Sequence, residues 1–240
     1  MIDLMISLIW NIRFRGKARI LDAIVPRFGF KQAKVHGFQI TLDLSDHIQR
    51  LVYMGAYERW ETSVFSLNVK HGMNVIDVGA NIGYFTLLAA RLVGPSGKVI
   101  AVEPEENAFS SLKKTVHENQ INQVRLLKCG LGRTQGFANL PSAVNGNNSP
   151  SLFDDSNKNK LKIQIRTLDE IIENCGLDRV DLLKVDVEGY EPEVFAGGEK
   201  ALSSGRIRSI LVEFNKHWLE KAGWSSLKLR DYLVSHGFKD

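Results

Sequence analysis

Val75-Ile-Asp-Val-Gly79-Ala-Asn-Ile-Gly83-Tyr-Phe-Thr86 starts as a short apolar run, turns on two glycines and continues into an amphipathic stretch. This reads as a buried strand that ends in a Gly-rich turn and opens a helix, the local form of a nucleotide-binding turn. Gly79 lets the backbone turn sharply and approach a ligand, and Gly83 permits tight helix-to-strand contact. The N–H groups at the helix start favour an anionic or carboxylate group. A dinucleotide turn has the spacing G-x-G-x-x-G. Here the spacing is G-x-x-x-G, position 81 is Asn, and Asp77 stands two places before the first glycine.

Outward from this turn, short apolar runs alternate with amphipathic stretches, which predicts an α/β fold with a parallel sheet wrapped by helices. The expected strands are Met73–Val78, Lys98–Glu103, Gln123–Cys129, Val180–Asp186 and Ser209–Phe214, rich in Val, Ile or Leu as strands buried on both faces are. The expected helices are Ile82–Leu92, Glu106–Asn119, Leu168–Cys175, Pro192–Ser203 and Ser226–Ser235. One connection, Gly130–Lys160, is rich in Asn, Ser and Gly and far longer than usual. Leu161–Arg166 alternates and can pair with Gly136–Leu140, so an inserted hairpin over about 130–166 is expected to act as a substrate lid, with Asn145–Ser149 at its tip.

Two further blocks carry chemistry. Val99-Ile-Ala-Val-Glu103-Pro104 ends a strand in a carboxylate, which can accept both hydroxyls of a ribose. Asp181-Leu-Leu-Lys-Val-Asp-Val-Glu-Gly-Tyr-Glu191 places Asp186 and Glu188 where a strand meets the ligand crevice. The Gly79–Gly83 turn with Asp77 resembles motif I of class I S-adenosylmethionine-dependent methyltransferases. With Lys184-Val-Asp-Val-Glu-Gly189, Thr167-Leu-Asp169 before it, Ile210-Leu-Val-Glu-Phe214 after it and Gly55-Ala-Tyr-Glu58 upstream, the chain resembles the FkbM family of methyltransferases.

The resemblance implies a Rossmann-like three-layer sandwich with a mostly parallel sheet, S-adenosylmethionine as cofactor, and methyl transfer to a hydroxyl of a glycan, polyketide or other small metabolite. Carried over, Asp77, Gly79, Ala80, Asn81 and Gly83 hold the methionine part of the cofactor. Glu103, with Pro104 beside it, holds the ribose, and Cys129 and Gly130 lie by the adenine. Tyr84 and Phe85 border the same pocket. Asp186 or Glu188 is the general base, with Asp186 also near the cofactor and His217 in reserve. Tyr57, Glu58, Asn147, Ser149, Tyr190, Glu213 and Asn215 are the candidate acceptor contacts, while Tyr53, Tyr57 and Trp60 read as a hinge between an N-terminal arm, residues 1–60, and the methyltransferase domain, 61–240. The class usually adds a further pair of strands after the fifth helix, and this sequence stops at Asp240.

Composition bounds the alternatives. Of 240 residues 44% are hydrophobic and 24% charged, and mean hydropathy is −0.13, values of an ordinary globular protein. Residues 1–40 hold seven Lys/Arg against two Asp, and the rest of the chain 24 against 25, so basicity belongs to a helical or hairpin arm and the body is ill suited to wrapping nucleic acid. Met1–Trp10 is apolar but too short to span a bilayer. It either packs on its own domain or, with Arg13, Arg15, Lys17 and Arg19, makes a peripheral membrane contact through residues 1–19. Cys129 and Cys175 suit a reducing cytoplasm and no zinc site. Asp186, Glu213 and Asn215 form a set that Mg²⁺ could use, although no metal is expected. Alternatives to O-methyl transfer are a nucleic-acid methyltransferase, a nicotinamide-dependent oxidoreductase, and an inactive cofactor- or partner-binding protein. The sequence leaves the acceptor and the oligomeric state open.

Overall fold

A computed structural model describes residues 29–141 and 160–239, together with 6, 20, 21, 23, 25–27 and 152. The expected site residues Asn147 and Ser149, and nearly all of the segment 1–19, lie outside the described residues.

The hairpin β1 (Phe30–Val35) and β2 (Phe38–Asp43) leads through α1 (His47–Tyr53) and α2 (Arg59–Asn68) into β3 (Asn74–Val78). There follow α3 (Tyr84–Val93), β4 (Lys98–Val102), α4 (Glu106–Glu118), β5 (Val124–Leu127), β6 (Gly130–Leu131), β7 (Gly136–Pro141) and β8 (Lys160–Arg166). The chain continues through α5 (Leu168–Asn174), β9 (Leu182–Val185), α6 (Glu191–Ala196), α7 (Glu199–Ser203), β10 (Ile210–Val212), α8 (Lys216–Lys221) and α9 (Ser226–Ser235).

Five parallel strands form the central sheet in the order β10-β9-β3-β4-β5. All five expected strands are present, each shorter than its apolar run. From β3 the chain steps outward to β4 and β5, then returns to the other side of β3 to lay down β9 and β10. The sheet therefore reverses direction of growth beside β3, which is where open α/β sheets leave a ligand crevice at their carboxyl edge.

Side chains alternate between two apolar layers. Ile76, Val78, Leu183 and Val185 enter one core with α5, α6 and α7, while Val75, Val99 and Leu182 enter the other with Phe65, Phe85 and Leu87. The second core also takes Val35, Ile40 and Leu42 from the β1–β2 hairpin, so that hairpin packs directly on α3 and α4. Among the described N-terminal residues, Ile6, Leu21 and Val25 pack with Leu44 and Met54.

Three expectations are revised. The helix foreseen over 192–203 is two helices, because Asp169 accepts the N–H groups of Lys200 and Ala201 and so starts a new helix. Helix α3 begins at Tyr84 rather than Ile82, since Gly83 occupies the left-handed region at φ +97. Gly83 serves helix-on-helix packing, not helix-on-strand: a Cβ there would meet the Leu112 side chain of α4 at 2.3 Å. The expected hairpin is present as β7 antiparallel to β8, with β6 added on the other side of β8.

Candidate active site

The crevice at the carboxyl edge of β3, β4 and β9 opens into a cleft of about 1210 Å³ that is continuous with solvent. Its floor is set by register: Asp77 of β3 lies directly beside Lys184 of β9, both on the α3 side of the sheet. The Lys184 ammonium is 3.0 Å from Asp186 Oδ2 and 4.0 Å from Asp77 Oδ1, and stands 4.7 Å from the Phe85 ring centroid. Burial alone favours the neutral amine, but Asp186, Asp77 and Glu58 hold the lysine above its ordinary range. Thr86 donates to Asp77 Oδ2 at 2.6 Å, and Asp77 Oδ1 is buried with no hydrogen-bond partner. Burial raises the Asp77 carboxyl.

The Gly-rich turn is built differently from the sequence expectation of open N–H groups. Gly79 and Ala80 both donate to Val102 O, at 3.0 and 3.1 Å, and Gly83 donates to Ala80 O at 2.8 Å. Asn81, left-handed at φ +51, donates to Glu103 Oε2 at 2.7 Å, while its own side chain accepts from Ile82 N at 2.8 Å. All five amides from Gly79 to Gly83 are therefore used inside the protein, and the turn is no pyrophosphate cradle. Gly79 is required by close approach: at φ +80, a Cβ would lie 1.9 Å from the Asp186 carbonyl oxygen. The turn and the Asp186 loop are thus pressed together.

Glu103 is buried, with Oε1 accepting from Glu105 N at 2.8 Å, and burial pushes its carboxyl up to about 7. The two backbone donors fix the carboxylate and leave a second lone pair on each oxygen, the geometry a vicinal diol needs. Beyond it, Pro104, Cys129, Gly130 and Leu131 meet Leu140, Leu152 and Ile163 in an apolar slot. Burial pushes the Cys129 thiol up to about 11, so it is an apolar neighbour rather than a thiolate.

At the other end, Tyr57, Glu58, Asp186, Glu188, Tyr190 and Glu213 line the same cleft. Burial pushes Glu188 up to about 7, with Asp186, Glu191 and Glu58 adding to the shift, and partial burial with Asp186 and Glu188 close by raises Glu213, whose outer side meets solvent. Burial also raises Glu58 and Tyr57, which hydrogen-bond to each other. Asn215 does not line the cleft but donates to Glu188 Oε2 at 3.2 Å. Of the set considered for Mg²⁺, Asn215 Oδ1 accepts from Trp218 N as the cap of α8 and Asp186 is engaged by Lys184. Tyr84 lines the cleft with its hydroxyl 3.1 Å from Thr62 Oγ1 and its ring edge-on to Tyr57 and Phe85.

The structure thus brings together, around one cleft, every described candidate except three: Gly83, which packs against Leu112 of α4 and is no cofactor contact, Asn215, which reaches the cleft through Glu188, and His217. His217 is exposed on α8 with its ring 4.9 Å from that of Trp218, outside the cleft lining, and is dropped as a reserve base. Lys184 has no part assigned to it by the sequence pattern. Its signal was a charge inside an otherwise apolar strand. Ile48 and Val52 of α1 also line the cleft and carried no motif.

The described residues fit S-adenosylmethionine: an Asp77 carboxylate oxygen that lacks a hydrogen-bond donor and has the Lys184 ammonium only at 4.0 Å, for an ammonium, the pinned Glu103 for a ribose, and an apolar slot for a purine. Among the described residues no helix is long and apolar enough to cross a membrane.

Comparison with known proteins agrees. The methyltransferase FkbM domain matches residues 77–239, well over half the chain. The protein-L-isoaspartate (D-aspartate) O-methyltransferase family matches residues 5–141, ending before the Asp186–Glu188 block. Methyltransferase sdnD of Sordaria araneosa is 29% identical over 58% of this chain and 65% of its own length. Hexuronic acid methyltransferase AglP of Haloferax volcanii is 30% identical over 58% of this chain and 54% of its own. 2-O-methyltransferase NoeI of Sinorhizobium fredii is 24% identical over 72% of this chain and 75% of its own. The chain thus spans less than two thirds of the length of the first two. The METTL16 methyltransferase domain, 16% identical, superposes over 85% of this chain and 66% of its own with a TM-score of 0.51, a likeness of fold. The chain belongs to the FkbM family of S-adenosylmethionine-dependent methyltransferases.

Proposed function

We propose that the chain transfers a methyl group to a hydroxyl oxygen of a sugar or another small hydroxylated metabolite, with Glu188 as the general base. The observation that carries this reading is a single cleft in which Asp186, Glu188 and Glu213 share walls with the Gly79–Gly83 turn and Glu103. The relatives' names agree with it, one an O-methyltransferase and one acting on a hexuronic acid.

When bound, S-adenosylmethionine supplies a sulfonium-activated methyl that one in-line displacement can move. The protein then has to orient the acceptor, exclude water and accept one proton. Asp77 and Glu103 would hold the donor, and the Leu140, Leu152 and Ile163 wall would enclose its purine. Tyr57, Glu58, Tyr190 and Glu213 face the acceptor. Asp186 is engaged by Lys184 at 3.0 Å, whereas Glu188 is pushed up to about 7, near the value at which a carboxylate both exists at neutral pH and takes a proton readily. Asn215, holding one Glu188 oxygen, orients the other. The carboxylate-rich lining opposes a polyphosphate acceptor, which disfavours nucleic acid. The filled turn amides likewise disfavour a dinucleotide.

Glu188→Gln is expected to lower kcat by on the order of 100-fold while leaving S-adenosylmethionine affinity within about twofold. Binding by calorimetry and turnover against a panel of sugars and hydroxylated metabolites measure the two separately. Loss of cofactor binding in this variant would make Glu188 structural. Absence of turnover across the panel, with binding intact, would count against a small hydroxylated acceptor.

A further inference from the structure

Six carboxyl groups crowd one ammonium at the carboxyl end of β9. Glu58 comes from the turn between α1 and α2, Asp77 from β3, Asp186 and Glu188 from the loop after β9, Glu191 from the start of α6 and Glu213 from the end of β10. Lys184 is the one cation among the described residues lining the cleft, and it is committed to Asp186 and Asp77. Glu191 is spent on the backbone, accepting from Val187 N and Gly189 N at 3.0 and 3.2 Å. Glu213 lines the same cleft as Asp186 and Glu188, so three carboxyl groups share one end of it. Partial burial and mutual repulsion raise both Glu188 and Glu213, so this end of the cleft favours taking up a proton.

We propose that Glu188 and Glu213 release a proton when the positively charged methyl donor enters the cleft and regain one once its neutral product is left there, so that the base is unprotonated only while a methyl group is available. This rests on the functional reading above and goes beyond it by coupling the charge of the donor to the state of the base. S-adenosylmethionine and S-adenosylhomocysteine differ by one methyl group and one positive charge. A permanent cation inside this carboxylate-lined cleft favours the ionised carboxylates, and a neutral thioether does not. The proton released on binding goes to buffer. In the transfer step the acceptor O–CH₃ bond forms as the S–CH₃ bond breaks, and the hydroxyl proton passes to Glu188. One positive and one negative charge vanish together, so the cleft keeps its net charge through turnover.

The test needs no acceptor. Titrating the full chain by calorimetry at pH 6.5, in two buffers of different ionisation enthalpy, counts protons released per ligand bound. At that pH the α-ammonium groups of both ligands stay protonated. S-adenosylmethionine is expected to release on the order of half a proton or more, and S-adenosylhomocysteine clearly less. The difference should shrink severalfold in the Glu188→Gln/Glu213→Gln double variant. The wild-type comparison stands even if that variant fails to fold. Equal proton counts for the two ligands would overturn this inference and leave the methyltransferase reading standing. No binding of S-adenosylmethionine would overturn both.

Discussion

Lys184 is the charge in the run Leu182-Leu-Lys-Val185, whose other side chains are all apolar and buried. A buried ammonium persists only when its partners offset its desolvation, and here Asp77 and Asp186 do so from both sides. Lys184→Met leaves two carboxylates without their cation and is expected to cost about 3–5 kcal/mol, read from urea unfolding, with Lys184→Arg less damaging. A loss below about 1 kcal/mol would show that the pair is solvated and the floor of the cleft is wetter than its burial indicates. Gly79→Ala tests the other contact on this floor. Its Cβ would overlap the Asp186 carbonyl, so the loop carrying Asp186 and Glu188 has to move, and cofactor binding should weaken at least tenfold alongside any loss of stability. Asp77, Glu103, Asp186 and Glu188 were legible in the sequence because each stands at or just beyond the carboxyl end of an apolar run, Asp77 two places before a glycine turn. The part played by Lys184 was not, because it depends on β3 and β9 lying in register more than 100 residues apart, which no local pattern encodes.

Among the elements, the parallel strands were readable from apolar runs, and their helices from amphipathic stretches. The β1–β2 hairpin and α1 were foreseen only as a helical or hairpin arm without bounds, and α2 and α8 not at all, since they carry no nucleotide-binding motif and their apolar faces are short. The β7–β8 hairpin was legible from the alternation in Leu161–Arg166. Its cleft-facing side chains, Leu140 and Ile163, are buried, while Phe137 is 68% exposed on its other side. One face of this hairpin therefore serves as a wall of the ligand site and the other meets solvent. Leu140→Ser with Ile163→Ser should weaken S-adenosylmethionine binding by about tenfold, since two apolar side chains each contribute on the order of 1 kcal/mol or more by shielding a ligand. Calorimetry would show the loss, and an unchanged affinity would mean that the apolar slot belongs to the acceptor and not to the donor.

Taken as a whole, the molecule concentrates its unfavourable ionisations in one cleft, and this shows in how its stability depends on pH. Glu103 and Glu188 are both pushed up to about 7, and Glu213 is raised as well. A carboxyl whose folded value lies above its unfolded value of about 4.3 stabilises the folded state in its protonated form, and that contribution is lost as pH rises through the folded value. Glu58 and Asp77 are raised in the same direction, and two histidines act in nearby windows. Burial lowers His36 to about 4, so its contribution grows between pH 4 and 6.5 and opposes the carboxyls there. The raised His236 is lost in the same direction as they are, but its partner Glu199 is largely exposed and the pair is worth little. Between pH 6.5 and 8.5 the cleft carboxyls therefore dominate. The ligand-free protein should lose on the order of 1–2 kcal/mol over that interval, read from urea unfolding at constant ionic strength. Saturating S-adenosylmethionine should flatten the part of the slope due to Glu188 and Glu213, and Glu188→Gln should flatten it without ligand. A level profile in the free protein would mean that these carboxyls are already ionised in the folded state, and that the cleft tolerates its crowded negative charge by admitting water.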